Sequence, residues 1–595
     1  MTYRLAFTIR HRRRLTSRRR LSTTLGCGLL AVGVGGHGCA LAAPLYDVLI
    51  EQGTLYDGTG ASPRVGDVGL RGDTIVYVGP HAPGKARERV SARGLAVAPG
   101  FINMLAHPEV SLLADPRALS DLRQGVTLEV IGEDSMGPLS EAMRAAAIRR
   151  QGDIKYSIDW TTLGEYLARL EHSGIAPNVA SYVGAGTVRT YVLGEGSTQP
   201  NEAQLAQMRQ LVRAAMEEGA VGLTTALIYA PNTFAQTPEL EALAAESARC
   251  GGIYSVHMRS EGDRLLEAVR ETIAIAQASQ APAEIFHLKA AGQRNWGKLD
   301  GLIREVEEAR RGGTRITADM YVYTAGATGL DAAMPPWVQD GGLEAWIGRL
   351  KDPATRARVI AEMRDPKSPW ENLYGAAGAE GTLLLAFRNP RLKPLTGKTL
   401  AEVARLRQLS PEETAIQLVI EDESRVGVAY FLMSEENVRR EVALPWVSFD
   451  SDEAAPAPEG VFLQSHNHPR AYGNFARVLA KYVREEHVLS LEAAVHKLAG
   501  LPADTLALSD RGHLAVGAKA DVVLFDPATV QDHATYADPH QLATGISEVW
   551  VNGVRALRAG AATGAPSGRI VRGRAWTGRP GGGCRGSARD WSWAS

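Results

Sequence analysis

The chain has little cysteine: four residues in 595, two of them (Cys27 and Cys39) within the first 43. Only Cys250 and Cys584 remain beyond that point, which excludes a disulfide scaffold. Cys250 ends a predicted helix and Cys584 sits in a Gly/Arg/Ser tail, so no structural disulfide is expected between them. Long apolar runs are also missing. Past residue 43 nothing reaches the roughly 18 apolar residues that cross a bilayer, so no membrane span is expected. No basic patch stands out, which argues against nucleic acid as a partner, and there is no tandem repeat.

The first 43 residues lack Asp, Glu and Lys but hold eight arginines, so without them the formal charge moves from −1 to −9. A basic stretch, a weakly apolar run at 25–34 and then Ala40-Leu41-Ala42 have the three-part layout of an export signal with a small-residue cleavage site. Ser17-Arg18-Arg19-Arg20-Leu21 resembles a twin-arginine signal, which points to an exported, periplasmic protein. Neither early cysteine has a leucine three places before it, so lipidation is not expected.

What is present is a globular composition, 45% hydrophobic and 22% charged, with 62 glycines and 30 prolines for turns. Residues 44–98 alternate short β-like runs with turns such as Gly72-Asp73, and the same texture returns at 506–574 in Val522-Val523-Leu524-Phe525 and Val549-Trp550-Val551. The two ends together predict one small β-sandwich domain. Between them, 99–505 reads as strand then helix, with eight apolar runs near 96–104, 126–131, 179–184, 220–228, 252–257, 283–287, 315–321 and 446–450. That pattern predicts an α/β fold, a TIM-like (β/α)8 barrel, with an insertion or lid at 322–445. The last stretch, 575–595, reads as a disordered Gly/Arg/Trp-rich tail.

Barrel enzymes place their reacting groups at the C-terminal ends of strands. Here the second run ends at Glu133, the fourth at Tyr229, the fifth at His257, the sixth at His287 with Lys289 beyond, the seventh at Asp319 and Tyr321, and the eighth at Asp450 and Asp452. A single histidine after a strand is more often packing than ligand. Two on consecutive strands with a nearby carboxylate suit a divalent ion with an open position for water. Such an ion acidifies water and polarises a carbonyl, and a carboxylate must then carry the proton to the leaving nitrogen. Asp452 is the candidate for that shuttle.

These residues carry a resemblance. Val97-Ala98-Pro99-Gly100-Phe101-Ile102-Asn103, Gln124-Gly125-Val126-Thr127, His257-Met258-Arg259, His287-Leu288-Lys289 and Ser451-Asp452 resemble the amidohydrolase superfamily. His468-Pro469-Arg470-Ala471-Tyr472-Gly473 brings the likeness closest to the D-aminoacylase, or N-acyl-D-amino-acid deacylase, group. The likeness runs from about 46 to 573. It implies His257 and His287 as metal ligands, and Tyr229, Lys289, Tyr321 and Arg470 as holders of the substrate carboxylate or the oxyanion. The group's third ligand is a cysteine after the second strand. This chain has Gly132-Glu133-Asp134 there, so Glu133 is the expected ligand and Asp134 the runner-up.

Amidohydrolases usually end the first strand with His-x-His for a second metal, whereas this chain has Leu105-Ala106-His107. One divalent ion, Zn²⁺ by donor type, is therefore expected. His466-Asn467-His468 reads as loop after the eighth strand, with His468 near the pocket. The expected activity is cleavage of the amide bond of N-acyl amino acids, the D configuration resting on resemblance. The alternatives are a dipeptidase, a cyclic-amide hydrolase, or an inactive ligand-binding barrel.

Overall fold

Seven parallel strand positions and one closing segment form the centre of the structure, a computed structural model that describes residues 45–578 and 582–584. Phe101–Ala106 pairs with Val126–Ile131, which pairs with Asn178–Ser181. The chain continues straight into Val183–Gly184, and pairing passes in turn to Gly222–Ala226, Ile253–His257, Ala283–Ile285 and Ile316–Ala318. Segment 446–450 then bonds to Ala318 and Met320 on one side, while Met104 N–H donates to Phe449 O on the other. The order of pairing thus returns to its first strand. Nearly every residue of these strands is buried, as expected for parallel strands covered on both faces.

Amphipathic helices lie between the strands. Leu163–Ser173 starts at Thr162 and Glu202–Glu218 at Asn201, each with a reciprocal capping box worth about 1 kcal/mol in the cap alone. Glu202–Glu218 turns Met208, Val212, Ala215 and Met216 inward, and they join the large core that also takes Leu240, Leu243 and Val269 from later helices.

The expected first strand at 96–104 is two strands. A β-carbon at Gly100 would lie 2.1 Å from Thr127 Oγ1, and the chain changes sheets there. Ala96–Pro99 pairs antiparallel with Val522–Phe525 and parallel with Leu45–Leu55, while Phe101–Ala106 enters the ring. Both chain ends share one nine-stranded sheet among the described residues. Arg511 pins its seam, pairing with Asp521 and donating to Asn552 Oδ1 at 3.0 Å.

The insertion has its own three-stranded antiparallel sheet, Ala325–Gly329, Thr382–Ala386 and Gly427–Phe431, and its own apolar core around Trp346, Leu384 and Val419. It is tied back to the ring by Trp296 Nε1 donating to Leu432 O, 2.8 Å, and by Arg150 between Glu195 and Glu344.

One expectation about the C-terminus is corrected: Cys250 and Cys584 are joined by a disulfide. Of the expected tail, residues 575–578 and 582–584 are described; Ala575 is buried, and Gly582 N–H donates to Glu217. The preceding segment fastens this stretch, with Gly568, Val571 and Gly573 N–H groups donating to Ile175, Val179 and Gly219 carbonyls. Local composition hid this, because the partners lie hundreds of residues away. The expected export segment at 1–43 lies outside the described residues, as does 585–595.

Candidate metal centre

Glu133 follows the second ring strand in a left-handed conformation, φ 63°, with its N–H donating to Thr224 Oγ1 at 3.0 Å. His287 (φ 37°) and Asp452 (φ 47°) share that region, which is uncommon for non-glycine residues and costs about 1–3 kcal/mol each. Each is held by its surroundings: the His287 N–H donates to Asp319 Oδ1, and the Asp452 N–H to Leu105 O at 3.0 Å. The strained backbone turns all three side chains into one cavity.

There Glu133 Oε1 lies 2.8 Å from His257 Nδ1 and 3.2 Å from His287 Nε2. One carboxylate oxygen and two imidazole nitrogens converge within 4.8 Å of one another. This borderline donor set, with a face open to the cavity, fits a tetrahedral divalent ion that keeps one position for a small molecule. Burial would raise the Glu133 carboxyl, but hydrogen bonds from His257 and His287 hold it well below the usual range. Asp134 also lines the cavity but stands outside this trio, and burial with the neighbouring Glu133 charge pushes its carboxyl up to about 6.

Asp452 lies opposite. Burial alone would raise its carboxyl, yet the charges of Arg470 and His287 and a bond from His107 bring it down to about 2. Arg470 Nη1 is 2.9 Å from Asp452 Oδ2 and its Nη2 donates to Asp452 O at 2.6 Å. The guanidinium also lies 4.2 Å from the centre of the Tyr321 ring. Lys289 Nζ stands 5.4 Å from that ring on another side and donates to Glu261 Oε1 at 2.7 Å. Lys289 is only 5% exposed, so a solvated surface role is excluded. The Tyr229 ring lies 5.2 Å from that of His257. Glu133, Tyr229, His257, His287, Lys289, Tyr321, Asp452 and Arg470 all line one cavity of about 740 Å³, whereas the strand-end carboxylates Asp319 and Asp450 do not.

Sequence reasoning missed others. His107 Nε2 lies 3.1 Å from Asp452 Oδ1 and 3.8 Å from Glu133 Oε2, so His107, Glu133 and Asp452 form a second close trio. Leu105 is fully buried and offers no donor. Arg425, from the insertion, lies over the Tyr229 ring and pairs with Asp331 at 2.8 Å; no local signal in the sequence marks it. Glu261 is buried against His287 Nδ1 (3.0 Å) and Lys289, and its place four residues after His257 was the available clue. His468 does not face the cavity. It is fully buried, bonded to Ala325 O and to the Arg470 N–H, while His466 and Asn467 line the cavity instead.

The Amidohydrolase family model matches residues 88–556. The chain belongs to the amidohydrolase family. Within it, this amidohydrolase falls in the D-aminoacylase group. It is 32% identical over 510 residues to N-acyl-D-glutamate deacylase of Alcaligenes xylosoxydans xylosoxydans, covering 85% of this chain and 93% of that one. A solved N-acyl-D-glutamate deacylase from Bordetella bronchiseptica, complexed with zinc and a phosphonate mimic of the tetrahedral intermediate, superposes with a TM-score of 0.74 at 29% identity. It covers 89% of this chain and all of that one. A D-aminoacylase described by its binuclear metal centre, with one-metal activation and second-metal attenuation, matches with a TM-score of 0.74 at 30% identity, over 88% of this chain and 99% of that one.

Proposed function

We propose that this amidohydrolase is a metal-dependent N-acyl-D-amino-acid deacylase that works with one divalent ion, zinc by donor type, on a (β/α)8 barrel. The observation that carries the reading is the convergence of Glu133, His257 and His287 donors beside a half-buried Asp452 whose carboxyl is lowered to about 2. An ion held by that trio supplies Lewis acidity, polarising the scissile carbonyl and acidifying water. Asp452 accepts the attacking water's proton and delivers it to the departing nitrogen. Its depressed pKa keeps it ionised in the resting state. Arg470 and Lys289, each already beside a carboxylate, flank Tyr321 and present cations to the substrate's own carboxylate. Tyr229 stands beside His257, where its hydroxyl can meet the developing oxyanion.

A panel of matched N-acetyl-D- and N-acetyl-L-amino acids on metal-replete enzyme tests this. Turnover of the D series is expected, and equal rates for both series would defeat the stereochemical assignment.

The localisation that goes with this function is the periplasm. The three-part pattern of residues 1–43 supports it, and so does the Cys250–Cys584 disulfide, since such bonds persist in oxidising compartments. Fractionation of the source cells is expected to recover the enzyme outside the cytoplasm, processed near residue 43. An unprocessed cytoplasmic chain would count against export.

A further inference from the structure

Two of the three donors in the metal trio are imidazoles, and a neutral imidazole that gives one nitrogen to an ion carries its proton on the other. The outward nitrogens of His257 and His287 therefore need acceptors. His287 Nδ1 lies 3.0 Å from Glu261 Oε1, and Lys289 Nζ, itself bonded to that oxygen, approaches the same nitrogen at 2.7 Å. His257 Nε2 has no hydrogen-bond partner among the described residues, and the nearest acidic oxygen is Glu261 Oε2 at 3.9 Å. The same Oε1 accepts from Lys289 Nζ at 2.7 Å. One carboxylate, 4% exposed, thus faces both rings and the buried ammonium.

Its own placement is fixed from the insertion. Glu371 accepts the Glu261 N–H at 2.9 Å through Oε1 and the Ser260 hydroxyl at 2.6 Å through Oε2. The Ser260 Oγ in turn accepts the Gly262 and Arg264 N–H groups, and Glu261 O accepts the Ala291 N–H at 2.7 Å. The loop 258–262 is therefore locked between the fifth ring strand and the insertion.

We propose that Glu261 is the positioning residue of the metal centre, orienting both imidazoles and Lys289 through one carboxylate, with Glu371 holding its loop. The assignment rests on reading Glu133, His257 and His287 as the ligands. Glu261 stands outside the ligand trio. It acts by fixing which nitrogen of each ring faces the cavity, and by holding Lys289 in place beside Tyr321.

The test is zinc affinity, measured by competition with a chromogenic chelator on the full folded chain. Glu261→Gln keeps the reach but removes the charge, and about a 10–100-fold weaker zinc affinity is expected, the usual cost of losing such an outer partner. Because that variant strands the Lys289 ammonium in the interior, Lys289→Met is compared with Lys289→Met/Glu261→Gln in parallel, where no unpaired buried charge remains. The double variant is expected to bind zinc at least about tenfold more weakly than Lys289→Met alone. A merely structural glutamate would lower the melting temperature of the metal-free protein and leave zinc affinity unchanged. That result in both comparisons overturns the proposal. A parent chain that takes up no zinc overturns the ligand reading itself, and this assignment with it.

Discussion

Arg470 Nη1 lies 2.9 Å from Asp452 Oδ2, so the most deeply buried cation of the cavity is held against the carboxylate proposed as the proton shuttle. Burial raises the Asp452 carboxyl, and the Arg470 charge, together with that of His287 and a bond from His107, more than reverses this, to about 2. A carboxyl lowered on folding contributes stability that is present above its unfolded value, about 3.9, and lost as pH falls through the folded value. For Asp452 that window runs from about 4 down to about 2. The same sign applies to catalysis. Arg470→Met removes the lowering charge, so the acid limb of the kcat profile is expected to move up by about one pH unit or more, with KM rising as well. A limb that stays in place would detach Arg470 from the shuttle's ionisation.

Asp452→Asn keeps the shape of the side chain and removes its basicity. Turnover is expected to fall by about 10²–10⁴-fold, the range for losing a positioned general base. Zinc content is expected to stay at the parent level, because the ligand trio does not include Asp452. Elemental analysis beside single-turnover rates separates the two effects, and an active Asn variant would remove Asp452 from the mechanism.

The ring's strands were legible because parallel strands buried on both faces are short apolar runs, as in Val126–Ile131 and Ile253–His257. Six of the eight runs are followed by side chains able to do chemistry, so position singled out Glu133, His257, His287 and Asp452, and the family resemblance supplied the ligand roles. What stayed hidden was made by distant partners. Nothing local to Arg425 marks it as a cavity residue, because its place depends on Gly427–Phe431 pairing with Ala325–Gly329 about a hundred residues earlier. Cys584 looks like part of a loose tail until the carbonyls of Ile175, Val179 and Gly219 are seen to anchor residues 568–573. The split at Gly100 has the same origin: the Thr127 side chain that leaves no room for a β-carbon there comes from the next ring strand.

The Cys250–Cys584 bond predicts a stability effect without a catalytic one. Cys250 is fully buried at the end of helix Thr237–Arg249, and neither cysteine lines the metal cavity. Cys584→Ser is expected to lose about 2–4 kcal/mol, the common range for a native cross-link. Its kcat/KM should equal the parent's. Limited proteolysis should clip the C-terminal segment of the variant sooner than that of the parent. Equal clipping of the two would show that the hydrogen bonds at 568–573 suffice to hold the segment.

The last prediction concerns how many ions bind. Leu105 stands where the family usually has the first histidine of its pair. Its side chain is fully buried, and a β-carbon on Gly132 would lie 2.6 Å from Leu105 Cδ1. The position is packed, with no donor to offer. His107 remains, but its Nε2 faces Asp452 Oδ1 at 3.1 Å, and the second trio has no member outside His107, Glu133 and Asp452. A second ion there would have to share Glu133 with the first and take the shuttle carboxylate. Protein stripped with chelator and titrated with zinc is therefore expected to reach full activity at about one equivalent per chain and to retain about one after dialysis, as fits a catalytic site with three protein ligands. His107→Ala should leave that stoichiometry unchanged. Leu105→His restores the missing donor and should raise the retained zinc toward two equivalents, at a cost in stability from a polar ring placed beside Phe286. Two zinc ions per parent chain after the same dialysis would sink the one-metal reading and assign His107 as a ligand.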